Sequence, residues 1–576
     1  MRLNQFMQTT LSAVIAGLFT VMAFTLSAQN PDVSITPSSV PEAVWFSPDD
    51  QYLIIEGGRN FEVYESATGK AVIRTQETAP KHSFKENGCL LFPGEQVFLV
   101  IGHELTDAHV RAFDLGTGEL LWQSENLSLG GGWADIMVAV ASLAAVADPM
   151  TQRAAGAYNS NVAGMFVSNK NLDNYINHIP ELGSIAMNGK KGLQLIDLRT
   201  GEVRWTQESV AVALGEVVYD AKNDLLVCII IHSNEMQRLF GKPEIVALNA
   251  TTGAEAWRTD YSGNFRPNST FLIGETLVLN FFGISVFDTA TGARKAGEVT
   301  ECYKRAEMQN KVLNAMIGHH TEGQGLTTIT SPPLVDDAGH VYYVVGVNGN
   351  GSRADPVGGS TKSLQKIDPA TGNFVFQGLE AGKKSDNPMQ AYLNNGVYYV
   401  KMTNKNRSSI VGMSAENGSL LFRTDAIKNR FGTSFDNFYH QGNTLLDISA
   451  TALLFYDDRT GAIIKEVPFK ELGIGRLENF SPYDNGFVIF GADGTAFVDG
   501  SGKLMKSIPM NDIRQVQAGD GDIRLVDTQR FVRLSSSELK ELAVLNHSHP
   551  RSVILSPRAT AVAHLNAGAV DVRLMK

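Results

Sequence analysis

Short apolar stretches separated by Gly, Asp and Asn recur along the chain, and the region before and after Gly502 shows the plan most plainly. There, 479–483, 486–491, 495–499 and 503–508 each carry the pattern of a short β-strand bounded by turn residues. Ala492-Asp493-Gly494 joins the second and third, with Gly supplying the positive φ of a tight hairpin. Longer apolar runs such as 225–231, which holds Cys228, read as buried strands. Between the third and fourth strands falls a phrase made of an apolar residue, Asp, two loose positions, Thr and Gly. It begins at Phe113, Ile196, Phe287, Ile367 and Tyr456 and ends at Gly118, Gly201, Gly292, Gly372 and Gly461. Softer copies end at Gly69, Gly253 and Gly418, and a shortened one, Val498-Asp499-Gly500-Ser501-Gly502, follows. A unit this small cannot bury a core alone, so its repetition predicts an all-β array of small sheets, closed or stacked.

The residues of the phrase are those a tight turn needs. Asp114, Asp197, Asp288, Asp368 and Asp457 can accept hydrogen bonds from following backbone N–H groups, and the closing Gly can take the left-handed conformation. Their periodicity accounts for them as turn residues and removes them as candidate catalytic carboxylates. Trp122, Trp205 and Trp257 stand four residues after the Gly, and Phe376 and Phe422 hold the same place in two other copies. On an outermost strand such a ring can lie across the neighbouring sheet and bury about 150–250 Å². These five aromatics are therefore expected to dock one unit on the next.

The run Asp114-Leu115-Gly116-Thr117-Gly118-Glu119-Leu120-Leu121-Trp122 resembles the repeat of the quinoprotein-like (PQQ-like) β-propeller family, and the similarity spans most of the chain. The end units, opening Val44-Trp45-Phe46-Ser47-Pro48-Asp49-Asp50 and Val553-Ile554-Leu555-Ser556-Pro557, are more similar to WD-repeat blades. The resemblance implies a β-propeller of four-stranded blades. It implies little about function, because the same repeat builds dehydrogenases, envelope-assembly lipoproteins and many other exported proteins. About eleven units can be counted, and since propellers typically carry four to eight blades, the count favours two rings over one large ring. The sets would be 29–300 and 331–576, with 301–330 as a helical insertion or linker. The final unit is a strand short, and 32–36, which alternates and has no sheet of its own, is expected to complete it.

The N-terminus changes the picture of where the chain works. Arg2, an apolar run over 11–26 and the small residues Ser27 and Ala28 read as a signal peptide cleaved before Gln29, the rival being an uncleaved anchor. No later segment has the length and apolarity of a spanning helix. The expected location is periplasmic or secreted. A net charge of -11 argues against a nucleic-acid surface. Three scattered cysteines cannot make a disulfide framework.

Candidate chemistry is sparse. A working quinoprotein would need Ca²⁺ ligands and a catalytic Asp beside the quinone, and family enzymes often add a vicinal cysteine pair that this chain lacks. His103 with His109, His319-His320, and His547 with His549 are weak clusters, and Asp520-Gly521-Asp522 reads as a hairpin turn. No catalytic, cofactor or metal residue is assigned. Function is expected where the repeat is interrupted: the Ala-rich segment 134–157 with Ile136 and Met137, the helix-patterned 301–319 with Tyr303 and Met308, and the Gly-rich loop with Asn348 and Arg353. The resulting expectation is an exported, non-enzymatic propeller that binds a protein partner or cell-envelope component. Similarity to the propeller subunit of the outer-membrane barrel-assembly machinery suggests scaffolding; a PQQ/Ca-dependent oxidoreductase and a carbohydrate-binding or carbohydrate-active propeller are the alternatives.

Overall fold

The structure is a computed structural model that describes residues 32–574, apart from 59, 79–85, 105–106, 129–175, 190–191, 211–216, 231–243, 261–268, 281–283, 296–325, 329–332, 346, 350–360, 384–385, 405–406, 429–437, 450, 485, 520, 547–552, 559–560 and 567. Strand follows strand in antiparallel meanders, each making one blade. Blade 1 consists of Ala43–Phe46, Tyr52–Gly57, Asn60–Glu65 and Ala71–Arg74 in sequence order. Blades 2 to 10 occupy 86–128, 176–207, 217–260, 269–288, 334–383, 387–423, 439–468, 477–508 and 515–546. Blade 11 spans 553–574. In blade 5 the described part of the fourth strand is a bridge between Phe287 and Arg294. Helix among the described residues is confined to the short turns Thr75–Thr78, Pro180–Leu182 and Phe469–Leu472.

Blade 11 takes its outermost strand from the other end of the chain. Val33–Ile35 pairs antiparallel with Ala569–Leu574, setting Val33 opposite Val572 and Ile35 opposite Val570. Ser34 Oγ donates to Asp571, and Asp32 accepts from the Leu574 N–H at 2.8 Å.

Within each blade the middle strands are buried on both faces, as in Leu225–Ile230, so their side chains form cores with the blades on either side. Leu53 and Ile55 pack with Ala561 and Val572; Ile54 and Val63 pack with Leu91 and Val100. The same alternation continues through blades 2–3, 3–4, 4–5, 5–6, 6–7, 7–8, 8–9, 9–10 and 10–11. Every core joins consecutive blades, and the last returns to the first. The cores therefore describe one cycle of eleven blades and correct the two-ring arrangement. Two rings would need cores between blades 1 and 5 and between blades 6 and 11. Instead Val278, Ile284 and Val286 of blade 5 pack with Val341, Tyr343 and Ile367 of blade 6, and Thr276 Oγ1 donates to the Pro369 carbonyl.

Candidate interaction surface

The turn before each fourth strand closes as its residues require. Asp114 Oδ1 accepts from the N–H groups of Gly116 and Thr117 at 2.8 Å, and the Gly118 N–H returns to the Asp114 carbonyl. Asp197 and Asp457 repeat the pattern. The Thr117 N–H, then the Arg199 guanidinium, hold the Asp114 carboxyl below its ordinary range. Asp288 and Asp368 accept from their own Thr residues, Thr291 and Thr371.

From these turns the aromatic residues reach across the seams. Trp122 Nε1 donates to the Leu198 carbonyl at 2.9 Å, Trp205 to Ala250 at 2.8 Å and Trp257 to Thr289 at 2.8 Å. In each case the acceptor follows the Asp or Asn of the next blade's turn. The ring lies on that turn's glycine: Trp122 on Gly201, Trp205 on Gly253 and Trp257 on Gly292. A Cβ at Gly253 would stand 2.6 Å from the Trp205 ring, so only glycine admits the indole. Phe376 meets Gly418 and Phe422 meets Gly461 in the same way.

A β-bulge aims these rings, and it is the feature that reading the sequence missed. In blade 7, Leu420 lies opposite Met413 and Phe422 opposite Gly412, so Leu421 is the extra residue. The corresponding extra residue is Val72, Leu121, Arg204 and Ala256 in blades 1–4, and Val375, Ile464, Met505 and Leu542 in blades 6, 8, 9 and 10. A bulge breaks the alternation of the strand and twists it. It turns the next residue toward the neighbouring blade and leaves two successive side chains facing outward.

On blades 3 and 4 this outer edge is mainly charged: beside the exposed Val203, Arg204 pairs with Asp197 at 2.7 Å, and Arg258 pairs with Glu244 at 2.6 Å and Glu255 at 2.8 Å. From blade 6 to blade 10 it is apolar. Val375, Leu420 with Leu421, Ile463 with Ile464, Leu504 with Met505, and Leu542 with Val544 are all exposed, from 41% at Leu504 to 59% at Ile464. An apolar arc over five consecutive blades, on edge strands that proteins usually protect with charge, is the surface feature that folding does not account for. The signal was present as adjacent apolar residues two and three positions after Gly418, Gly461 and Gly502.

Of the residues singled out where the repeat is interrupted, Asn348 alone lies among the described residues. Ile136, Met137, Tyr303, Met308 and Arg353 lie outside the described residues, as do both helix-patterned insertions. Asn348 sits in the strand Val347–Gly349, opposite Thr327 of Leu326–Thr328. Among the described residues no group of three or more His, Cys, Asp or Glu is placed to hold a metal ion. Burial pushes the Cys228 thiol up to about 12, which suits a core residue. No helix among the described residues is long and apolar enough to cross a membrane.

Compared with known proteins, residues 189–295 match the family described as outer membrane protein assembly factor BamB. That stretch covers blades 4 and 5 and the last two strands of blade 3, and the chain carries PQQ-like propeller repeats with distant similarity to BamB. No curated protein matches. Among solved structures the chain is similar to BamB from Moraxella catarrhalis, at 13% identity and TM-score 0.28 over 69% of this chain and 96% of that one. It is similar to a eukaryotic initiation factor at 12% identity and TM-score 0.34, over 66% of this chain and 88% of the other. A third is the dihydro-heme d1 dehydrogenase NirN in complex with DHE, at 12% identity and TM-score 0.28, over 82% and 75%.

Proposed function

We propose that the protein is an exported, non-enzymatic scaffold whose propeller binds a protein partner or another cell-envelope component through the apolar arc of blades 6 to 10. The single observation that carries the reading is the exposure of paired apolar residues on consecutive outer strands. Burying one such side chain is worth roughly 1.5–3 kcal/mol, so a partner covering several gains more than the ring alone can. Rigid blades present these side chains at fixed spacing, which lowers the ordering cost of association. Export follows from the N-terminal 28 residues, with cleavage before Gln29.

The test places a photo-crosslinking residue at Leu421 or Met505 and, as controls, at Arg204 or Ala256, which occupy the same bulge position in blades 3 and 4. Discrete crosslinked species are expected from the first pair in the intact cell envelope and not from the second. Equal crosslinking at all four positions, or none, overturns the assignment of the arc.

A further inference from the structure

Blade 8 departs from the docking pattern at one residue. Four positions after its turn glycine, where blades 2, 3, 4, 6 and 7 carry Trp122, Trp205, Trp257, Phe376 and Phe422, it carries Lys465. The Lys465 side chain is exposed, and its charge acts across the seam on the Asp499 carboxyl of the blade 9 turn. Phe455, opposite Lys465 in the third strand, leans onto Gly502 of blade 9 together with Val467, so that seam is held one strand further in. The turn of blade 9 is also a residue shorter, Asp499-Gly500-Ser501-Gly502 against Asp197-Leu198-Arg199-Thr200-Gly201. What remains between the two blades is an open groove of about 420 Å³ lined by Thr444, Phe455, Ile464, Lys465, Gly500 and Ser501. Blade 9 also has Lys at this place, but Lys506 turns its Nζ to the Leu539 carbonyl of blade 10.

We propose that this groove is an unfilled docking slot that receives an aromatic side chain, an indole above all, from a partner polypeptide. The chain's own seams identify the occupant. In the three Trp seams the indole N–H donates to the carbonyl of the residue after the turn Asp or Asn, namely Leu198, Ala250 and Thr289. Gly500 holds that place in blade 9 and lines the groove. Phe455 and Ile464 supply apolar walls, and Lys465 stands where its ammonium can face the ring. The volume falls within the roughly 300–1,000 Å³ of ligand pockets, and Trp is among the residues that most often anchor protein interfaces. Ile464 belongs to the apolar arc, so the slot is the point on the contact surface where a partner inserts a side chain; the inference rests on that reading of the arc.

The experiment titrates the full-length protein into N-acetyl-5-fluorotryptophanamide and follows the ¹⁹F linewidth. Broadening with a Kd in the millimolar range is expected, displaced by N-acetyltryptophanamide and not by N-acetylalaninamide. Lys465→Trp, which fills the slot from within, should reduce the broadening by at least roughly tenfold and raise the melting temperature. Should that variant not fold, Ile464→Asp, at an exposed position, reads the same loss. No broadening by the wild-type protein, or undiminished broadening in the folded variant, overturns the slot. Absent indole binding with crosslinks at Leu421 and Met505 intact removes the slot alone; loss of those crosslinks with indole binding intact removes the arc instead.

Discussion

At the scale of the residue, the seams turn on a pairing of two side chains that are far apart in sequence. Trp205 is buried, donates its indole N–H to Ala250 and lies on Gly253, whose φ of 72° and missing Cβ both serve that contact. Truncation leaves a cavity at a blade seam as well as an orphaned carbonyl, so Trp205→Ala should destabilise the protein by about 3–5 kcal/mol in denaturant unfolding. Gly253→Ala meets the same ring from the other side and adds left-handed strain of about 1–2 kcal/mol. In the double variant the cavity cost stays but the clash is gone, so Gly253→Ala adds only its strain and the two single costs should fall short of adding. Strict additivity would mean that the residues do not share a contact. The aromatic, the glycine and their spacing were all legible in the sequence. Which glycine each ring meets was not, because that depends on how consecutive blades are tilted.

At the scale of the element, blade 9 shows what alternation and turn residues convey. Strands read at 479–483, 486–491, 495–499 and 503–508 are found at Leu477–Tyr483, Gly486–Gly491, Gly494–Asp499 and Leu504–Ile508. The bulge escaped because one extra residue beside a turn looks like any other strand start. Its consequence, an apolar pair turned outward, escaped with it: apolar residues in a strand are expected to face a core. The closing strand is an element whose worth exceeds its length. Val33 and Ile35 cover Gly69 of blade 1 while pairing with blade 11, and Glu62 of blade 1 accepts from the Ser38 N–H at 2.9 Å. Removing residues 29–40 exposes the edge of Ala569–Leu574 and strips part of the core between blades 11 and 1. Thermal unfolding of that truncation should begin well below that of the full chain and be accompanied by aggregation; superimposable melts would show that the ring closes without the strand.

At the scale of the whole molecule, a ring of eleven blades that repeats one kind of turn multiplies whatever acts on that turn. The count of units was legible, but the single cycle was not, since it depends on contacts such as Val286 with Tyr343 that no local pattern encodes. Repetition matters most for the carboxylates of the turns. The Thr460 hydroxyl and N–H hold the Asp457 carboxyl low, and at Asp197 and Asp499 burial pushes the other way but is outweighed, by Arg204 and Thr200 in one and Ser501 in the other. Asp114 is held low as well. A carboxyl whose folded-state pKa lies below the value of about 3.9 in the unfolded chain stabilises the fold fully above that value and loses its contribution as pH falls through the folded pKa. Protons therefore bind the unfolded chain more readily at the turns of Asp114, Asp197, Asp457 and Asp499. The melting temperature should be level from about pH 7 to about 5 and drop steeply between about pH 4 and 2. Salt should shift this only modestly, because the strongest partners of Asp457 and Asp499 are hydroxyl and backbone N–H groups rather than surface cations. A melting temperature that stays constant down to pH 2 would show that the turns do not depend on their ionised carboxylates, and the repeat would then owe its turns to glycine alone.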